Sequence, residues 1–143
     1  MNVMQILNDK GREIETASPD APISQVAGKL VAHRIGAIVL VEDAGQIAGI
    51  VSERDIVRAV AAKGGACLNE PVRTIMTKNV ITCSQQDTAQ DLMGMMTAGR
   101  FRHLPVVDGE TLVGIVSIGD VVKNHIAEVE MEATALKNYV AGG

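Results

Sequence analysis

Aromatic side chains are nearly missing from this chain, which has Phe101, Tyr139 and no tryptophan. That argues against binding nucleic acid by base stacking, which needs aromatic platforms. Positive charge is short as well: the formal net charge is −4, whereas a phosphate backbone calls for a basic face. Cysteine is limited to Cys67 and Cys83, which stand far apart and outside any C-x-x-C spacing. A disulfide framework is therefore not expected, and buried thiols in a reducing compartment are. No apolar run approaches the length that spans a bilayer. Met1–Lys10 lacks the basic region and long apolar run of a secretory signal. Together these absences lead to the expectation of a cytoplasmic protein with no nucleic-acid and no membrane partner.

Aliphatic side chains are what the sequence has in quantity. Hydrophobic residues make up 47% of 143 residues and charged residues 21%. That suffices for a folded core built from Val, Ile, Leu, Ala and Met, and it is unlike a disordered tail.

The sequence is written twice. Gly49-Ile50-Val51-Ser52 recurs as Gly114-Ile115-Val116-Ser117, and an aspartate stands three positions after each serine, at Asp55 and Asp120. Upstream, Ser18, Val26, Gly28, Leu30, Arg34 and Val41 match Ser84, Leu92, Gly94, Met96, Arg100 and Val107. The register changes by one residue within the turns Glu42–Gln46 and Asp108–Glu110, where a length change is tolerated best.

Each copy predicts strand, helix, strand, strand, helix. Short extended segments open them, at Glu13–Ala17 and Asn79–Cys83. Helices follow, with apolar positions Ile23, Val26, Leu30 and Val31 in one and Leu92, Met93 and Met96 in the other. Asp87 with Gln90 reads as the second of these helix starts. Paired strands are expected at Ala37–Val41 with Ile47–Val51, and at His103–Val107 with Thr111–Val116. Their nearly continuous apolar character fits strands covered on both faces. The last helices start at Ser52 and Ser117. Gly64-Gly65 and Pro71 mark a linker. A short helix at Val72–Met76 has an apparent counterpart at Val3–Leu7. The domain reading is 1–63 for the first repeat with its N-terminal helix, 64–71 for the linker, 72–127 for the second repeat, and 128–143 for a helical extension.

The doubled G-I-V-S-x-x-D-[IV]-V pattern, with Arg102-His103-Leu104-Pro105-Val106 before its second copy, closely resembles tandem CBS domain pairs. These are also called Bateman modules, and they occur in IMP dehydrogenase, cystathionine β-synthase, chloride channels and the γ subunit of AMP-activated kinase. The resemblance covers about residues 1–127 and extends to stand-alone bacterial CBS-pair regulators. It implies an α/β (α+β) fold of two βαββα repeats related by pseudo-twofold symmetry. It also implies clefts that take AMP, ADP, ATP, NAD or S-adenosylmethionine. In one cleft Ser52, Arg54 and Asp55 would join Val80, Ile81, Thr82, Arg102 and His103. In the other Ser117, Gly119 and Asp120 would join Ile14, Thr16, Ile35, Gly36 and Ala37. The apolar strand residues would flank adenine.

The serine and aspartate motifs carry a plainer alternative, a helix capping box. Two arguments favour a ligand. A capping box prefers Glu or Gln where both copies have Asp, and exposed amides at a helix N-terminus attract phosphate. The roles can coexist, with serine capping and aspartate accepting the hydroxyls of a ribose. Arg54, Arg102 and His103 lead to the expectation that the first cleft prefers more phosphate charge. Gly119 in the second leaves room for a larger group, such as the nicotinamide half of NAD.

Other chemistry finds little support. His33, His103 and His125 lack partners at metal-ligand spacing, so no metal is expected. Cys83 reads as a buried side chain before a redox group, and Met93, Met95 and Met96 as core filler. Neither nucleotide-binding glycine motif is present. Val122, Ile126, Val129, Ala133, Leu136 and Val140 step by four and three, with Glu128, Glu130, Glu132 and Lys137 off the stripe. That predicts an amphipathic helix suited to homodimer formation, with Tyr139 as an anchor. The expected function is a non-catalytic sensor of adenine nucleotides acting on an unknown protein partner. The alternatives are a scaffolding dimer with vestigial sites and an enzyme that turns the nucleotide over.

Overall fold

The computed structural model describes residues 1–142. They divide into two units, one running from Ile14 to Ile81, the other combining Met1–Glu13 with the residues from Thr82 onward.

In the unit of residues 14–81 the order is β1 (Thr16–Ala17), α2 (Ile23–His33), β2 (Ala37–Val41), β3 (Ile47–Ser52) and α3 (Glu53–Lys63). β1 pairs parallel with β2, and β2 pairs antiparallel with β3. Helical spacing on α2 buries Ile23, Val26 and Leu30 against Ile38, Leu40, Val51 and Ile56. Val31, expected on that face, is instead 80% exposed. Two short 3₁₀ segments follow, Gly65–Asn69, which the linker composition concealed, and Val72–Thr74.

The other unit holds α1 (Val3–Lys10), α4 (Ala89–Gly99), β4 (His103–Asp108), β5 (Thr111–Ser117) and α5 (Ile118–Gly142). β4 and β5 form an antiparallel pair. The expected opening strand at 79–83 is reduced to a single parallel bridge from Cys83 to Val106. It occupies the place of Ala17 beside Leu40 in the first repeat. Both strand pairs shift register at matching positions, Leu40/Val41 and Val106/Val107. Both α2 and α4 end on an arginine in the left-handed conformation, Arg34 and Arg100, at φ 55° and 57°. The start of α4 is one residue later than the sequence suggested: Thr88 is the N-cap and Asp91 completes the box.

The segments that lead into the repeats show the largest difference from the sequence reading. By chain order α1 belongs to the first repeat, yet Val3, Ile6 and Leu7 are buried among Leu92, Met96, Leu104, Val116 and Val121. Val72, which leads into the second repeat, is buried in the core of residues 14–81. The two dockings use the same backbone bonds. Val3 N donates to Asp87 O at 2.8 Å, and Val72 N to Ala21 O at 2.8 Å. Ala89 N donates to Met1 O at 3.2 Å, and Ile23 N to Glu70 O at 2.9 Å. Each repeat thus offers the edge before its first helix to a leader from elsewhere in the chain, and the leader satisfies amides that would otherwise be left unpaired.

Candidate functional site

Ser52 ends β3 and caps α3. Its hydroxyl accepts from Asp55 N at 3.3 Å, and the Asp55 carboxylate accepts from Ser52 N at 2.8 Å and from the Ser52 hydroxyl at 3.1 Å. Ser117 stands at the same junction between β5 and α5. Its hydroxyl accepts from Asp120 N at 3.2 Å, and Asp120 Oδ2 accepts from Ser117 N at 2.8 Å. The capping alternative is therefore realised at both junctions. Aspartate in place of glutamate turns out to be no pointer to a ligand, because Thr88 and Asp91 make the same reciprocal pair at the start of α4. Aspartate reaches the N-cap amide at each of these starts, so the residue type follows from local geometry alone.

Strand register sets the neighbours of each serine. Ala37 lies opposite Ser52, and Glu53 N donates to Gly36 O at 2.9 Å. His103 lies opposite Ser117, and Ile118 N donates to Arg102 O at 2.8 Å. Within each unit the dipeptide that opens the middle strand is thus seated beside the serine of its own repeat. Arg54 is exposed on the first turn of α3, and Gly119 occupies the matching place on α5. Ile35 is half-buried after α2, and Ile14 and Thr16 are half-buried at the opening of the same unit. Val80 is half-buried there and Ile81 exposed, while half-buried Thr82 opens the unit of residues 82–142.

The two carboxylates differ in their cations. Asp55 has Arg58 Nη1 at 4.0 Å, on a side chain that is 75% exposed. Asp120 has Lys10 Nζ at 2.6 Å, and Lys10 also donates to Ile115 O at 2.8 Å. Burial pushes the Asp120 carboxyl up, but the hydrogen bonds from Lys10 and Ser117 and the Lys10 charge outweigh it. The group lies below the usual carboxylate range.

The sequence reading missed Lys10. A signal was present in the box formed by Asn2 and Gln5, which starts α1 firmly enough to carry it to Lys10. The matching leader has Pro71 at its N-cap, makes no side-chain cap, and is helical only from Val72 to Thr74. It turns extended, and Thr77 pairs with Ile50 in both directions, N to O at 2.9 and 3.0 Å. Ile115 is the counterpart of Ile50. The carbonyl that meets a backbone amide in one repeat therefore meets the Lys10 ammonium in the other.

Among the described residues, no group of three or more His, Cys, Asp or Glu could hold a metal ion, and no helix is long and apolar enough to cross a membrane.

The doubled βαββα units define the class of fold, and comparison with known proteins gives the family. Residues 6–62 and 72–126 match the CBS domain, so the chain belongs to the CBS-domain family as a tandem pair. CBS domains are non-catalytic regulatory modules, and two of them account for most of this chain. It is similar to the CBS-domain containing protein ATU1752 from Agrobacterium tumefaciens, with 49% identity, 85% of this chain and 91% of that one covered, and a TM-score of 0.83. It is similar to PAE2072 from Pyrobaculum aerophilum, solved with AMP, at 31% identity, 84% and 89% coverage, and a TM-score of 0.76. It is also similar to the CBS domain pair of protein MJ0100, solved with 5-methylthioadenosine and S-adenosyl-L-methionine. That match has 27% identity, 90% and 98% coverage, and a TM-score of 0.80. Related CBS pairs thus bind adenosine-containing ligands.

Proposed function

We propose that this chain is a sensor of adenine nucleotides of the AMP, ATP or NAD type, and that occupancy changes the arrangement of its repeats or of a dimer. The observation that carries this reading is the tandem CBS match over residues 6–62 and 72–126, which puts Ser52 with Asp55 and Ser117 with Asp120 at matching strand-to-helix junctions of the two repeats. A carboxylate one turn into a helix can accept the hydroxyls of a ribose. Relatives solved with AMP and with S-adenosyl-L-methionine support the same ligand class. The residues proposed to meet ligand are Ser52, Arg54, Asp55, Val80, Ile81, Ile14, Thr16, Ile35, Gly36 and Ala37 of one unit and Thr82, Arg102, His103, Ser117, Gly119 and Asp120 of the other. A ligand acts on a partner only through different affinity for two states. The protein partner is unknown, and the proposed location is the cytoplasm.

The homodimer belongs to the same proposal. Val122, Ile126, Val129, Leu136 and Val140 on α5 are all exposed. Their heptad spacing supports pairing with a second copy of this chain.

Calorimetric titration of nucleotide-stripped protein with AMP, ATP and NAD tests the reading. Saturable binding that Asp55→Ala and Asp120→Ala remove site by site is expected. Absence of binding to the intact protein would turn the reading towards a scaffold.

A further inference from the structure

Both aspartates accept from their serine amide at 2.8 Å, and Asp55 also accepts from the Ser52 hydroxyl at 3.1 Å; of the two, it is Asp120 that carries an ammonium group on its carboxylate, at 2.6 Å. That ammonium belongs to a side chain with a second anchor, Ile115 O at 2.8 Å. Both partners are about one-quarter to one-third exposed, at 25% for Asp120 and 33% for Lys10, so the pair is partly shielded from water. The first repeat needs no such side chain, because Thr77 N already occupies Ile50 O.

A ribose diol approaches a carboxylate as a donor of hydrogen bonds. At Asp120 it meets a donor already in place, one that also cancels the charge making the carboxylate a strong acceptor. The lysine cannot diffuse away, since α1 is buried through Val3, Ile6 and Leu7 in the same unit. Its local concentration is fixed by the fold. We propose that Lys10 is a ligand-selecting residue of the second repeat, a tethered competitor that holds the Asp120 carboxylate against a ribose diol. This rests on the reading that Asp120 takes a ribose. It makes the repeats unequal for a neutral nucleoside, with Asp55 the stronger acceptor and Asp120 the guarded one.

The plainer role for Lys10 is a pin that fastens the end of α1 to β5. A pin and a competitor differ in what its removal does to binding. Adenosine is the probe, because it carries the diol and no phosphate for the lysine to attract. It is titrated calorimetrically into the full chain carrying Asp55→Ala, with and without Lys10→Met. The competitor predicts that Lys10→Met tightens adenosine binding about five-fold, in line with a partly exposed ion pair, while Lys10→Arg leaves it unchanged. Equal affinity would overturn the proposal in favour of the pin, and weaker affinity would make Lys10 a ligand contact. Thermal melting checks the fold. If Lys10→Met melts at the assay temperature, Lys10→Gln, which still donates to Ile115 O, takes its place. Wild-type binding that disappears with Asp55→Ala and is not restored by removing Lys10 would sink this inference alone. Failure of the wild type and of Lys10→Met to bind adenosine, AMP or ATP would remove the sensor reading and this inference with it.

Discussion

Thr77 passes so close to Gly49 that a β-carbon there would meet its carbonyl oxygen at 2.7 Å, and the Met76 sulfur at 2.6 Å. The matching Gly114 faces only the end of a side chain, Leu7, with Cδ2 at 2.7 Å. The glycine of each G-I-V-S copy therefore makes room for a docked leader and not for a phosphate. Gly49→Ala should destabilise by about 2–3 kcal/mol and Gly114→Ala by about 1 kcal/mol, because Leu7 can change rotamer and a backbone carbonyl cannot. Urea titration of the two variants reads the difference, and equal losses would contradict this account.

Asp120 gives stability a pH dependence of known sign. Its carboxyl lies below the ordinary value of 3.8 in the folded chain, so the unfolded chain binds that proton more tightly. The contribution is complete above the ordinary value and is lost as pH falls through the folded one. Asp120→Asn should lower stability by about 1–2 kcal/mol at neutral pH. Its deficit against the wild type should shrink in acid below the ordinary carboxyl value. A deficit that stays constant with pH would show that charge is not its source.

Cys83 should be inert in the folded protein. Burial, with a smaller contribution from Asp87, pushes its thiol up to about 12 from an ordinary 9.0, and the thiolate is the reactive form. Cys67 is also buried. At mildly alkaline pH a thiol-specific disulfide reagent should label neither until denaturant is added. Rapid labelling of one thiol in native protein would show a reactive Cys83 or an opening fluctuation. As pH rises above 9.0 the unfolded thiol ionises first, so Cys83 costs stability between there and about 12. Cys83→Ala, the residue found at position 17, should remove that alkaline loss.

The exposed stripe on α5 leads to an assembly prediction. Light scattering should report a dimer for the full chain, and truncation after Asn124 should give a monomer. Leu136→Glu, at a residue 64% exposed in the single chain, should weaken the dimer without changing the melt of either unit. A truncated chain that stays dimeric would move the interface elsewhere.

Much of the fold was legible because the sequence states it twice. The strands at 37–41 and 47–52, the helix starts at Ser52 and Ser117, and the long C-terminal helix all follow from pattern and caps. The cores that the leaders enter were not legible, because a short amphipathic helix shows which face it buries and not against which core. The opening strand of the second repeat fell to one bridge because Cys83 alone meets β4 there. At the site, Ser52, Asp55, Ser117 and Asp120 were found by repetition. Lys10 was missed because the carboxylate it reaches lies 110 residues further along the chain.

The exchange of leaders also sets an order of assembly during synthesis. The unit of residues 14–81 is one continuous stretch, and its closing piece, Val72, lies near its own end. All of its core residues have been made once the chain has reached residue 81. The other unit begins with α1 and cannot close until Leu92, Val116 and Val121 have been made. The first helix therefore stays without its core while an entire neighbouring unit folds, and Val3, Ile6 and Leu7 form an early sticky segment that a chaperone could shelter.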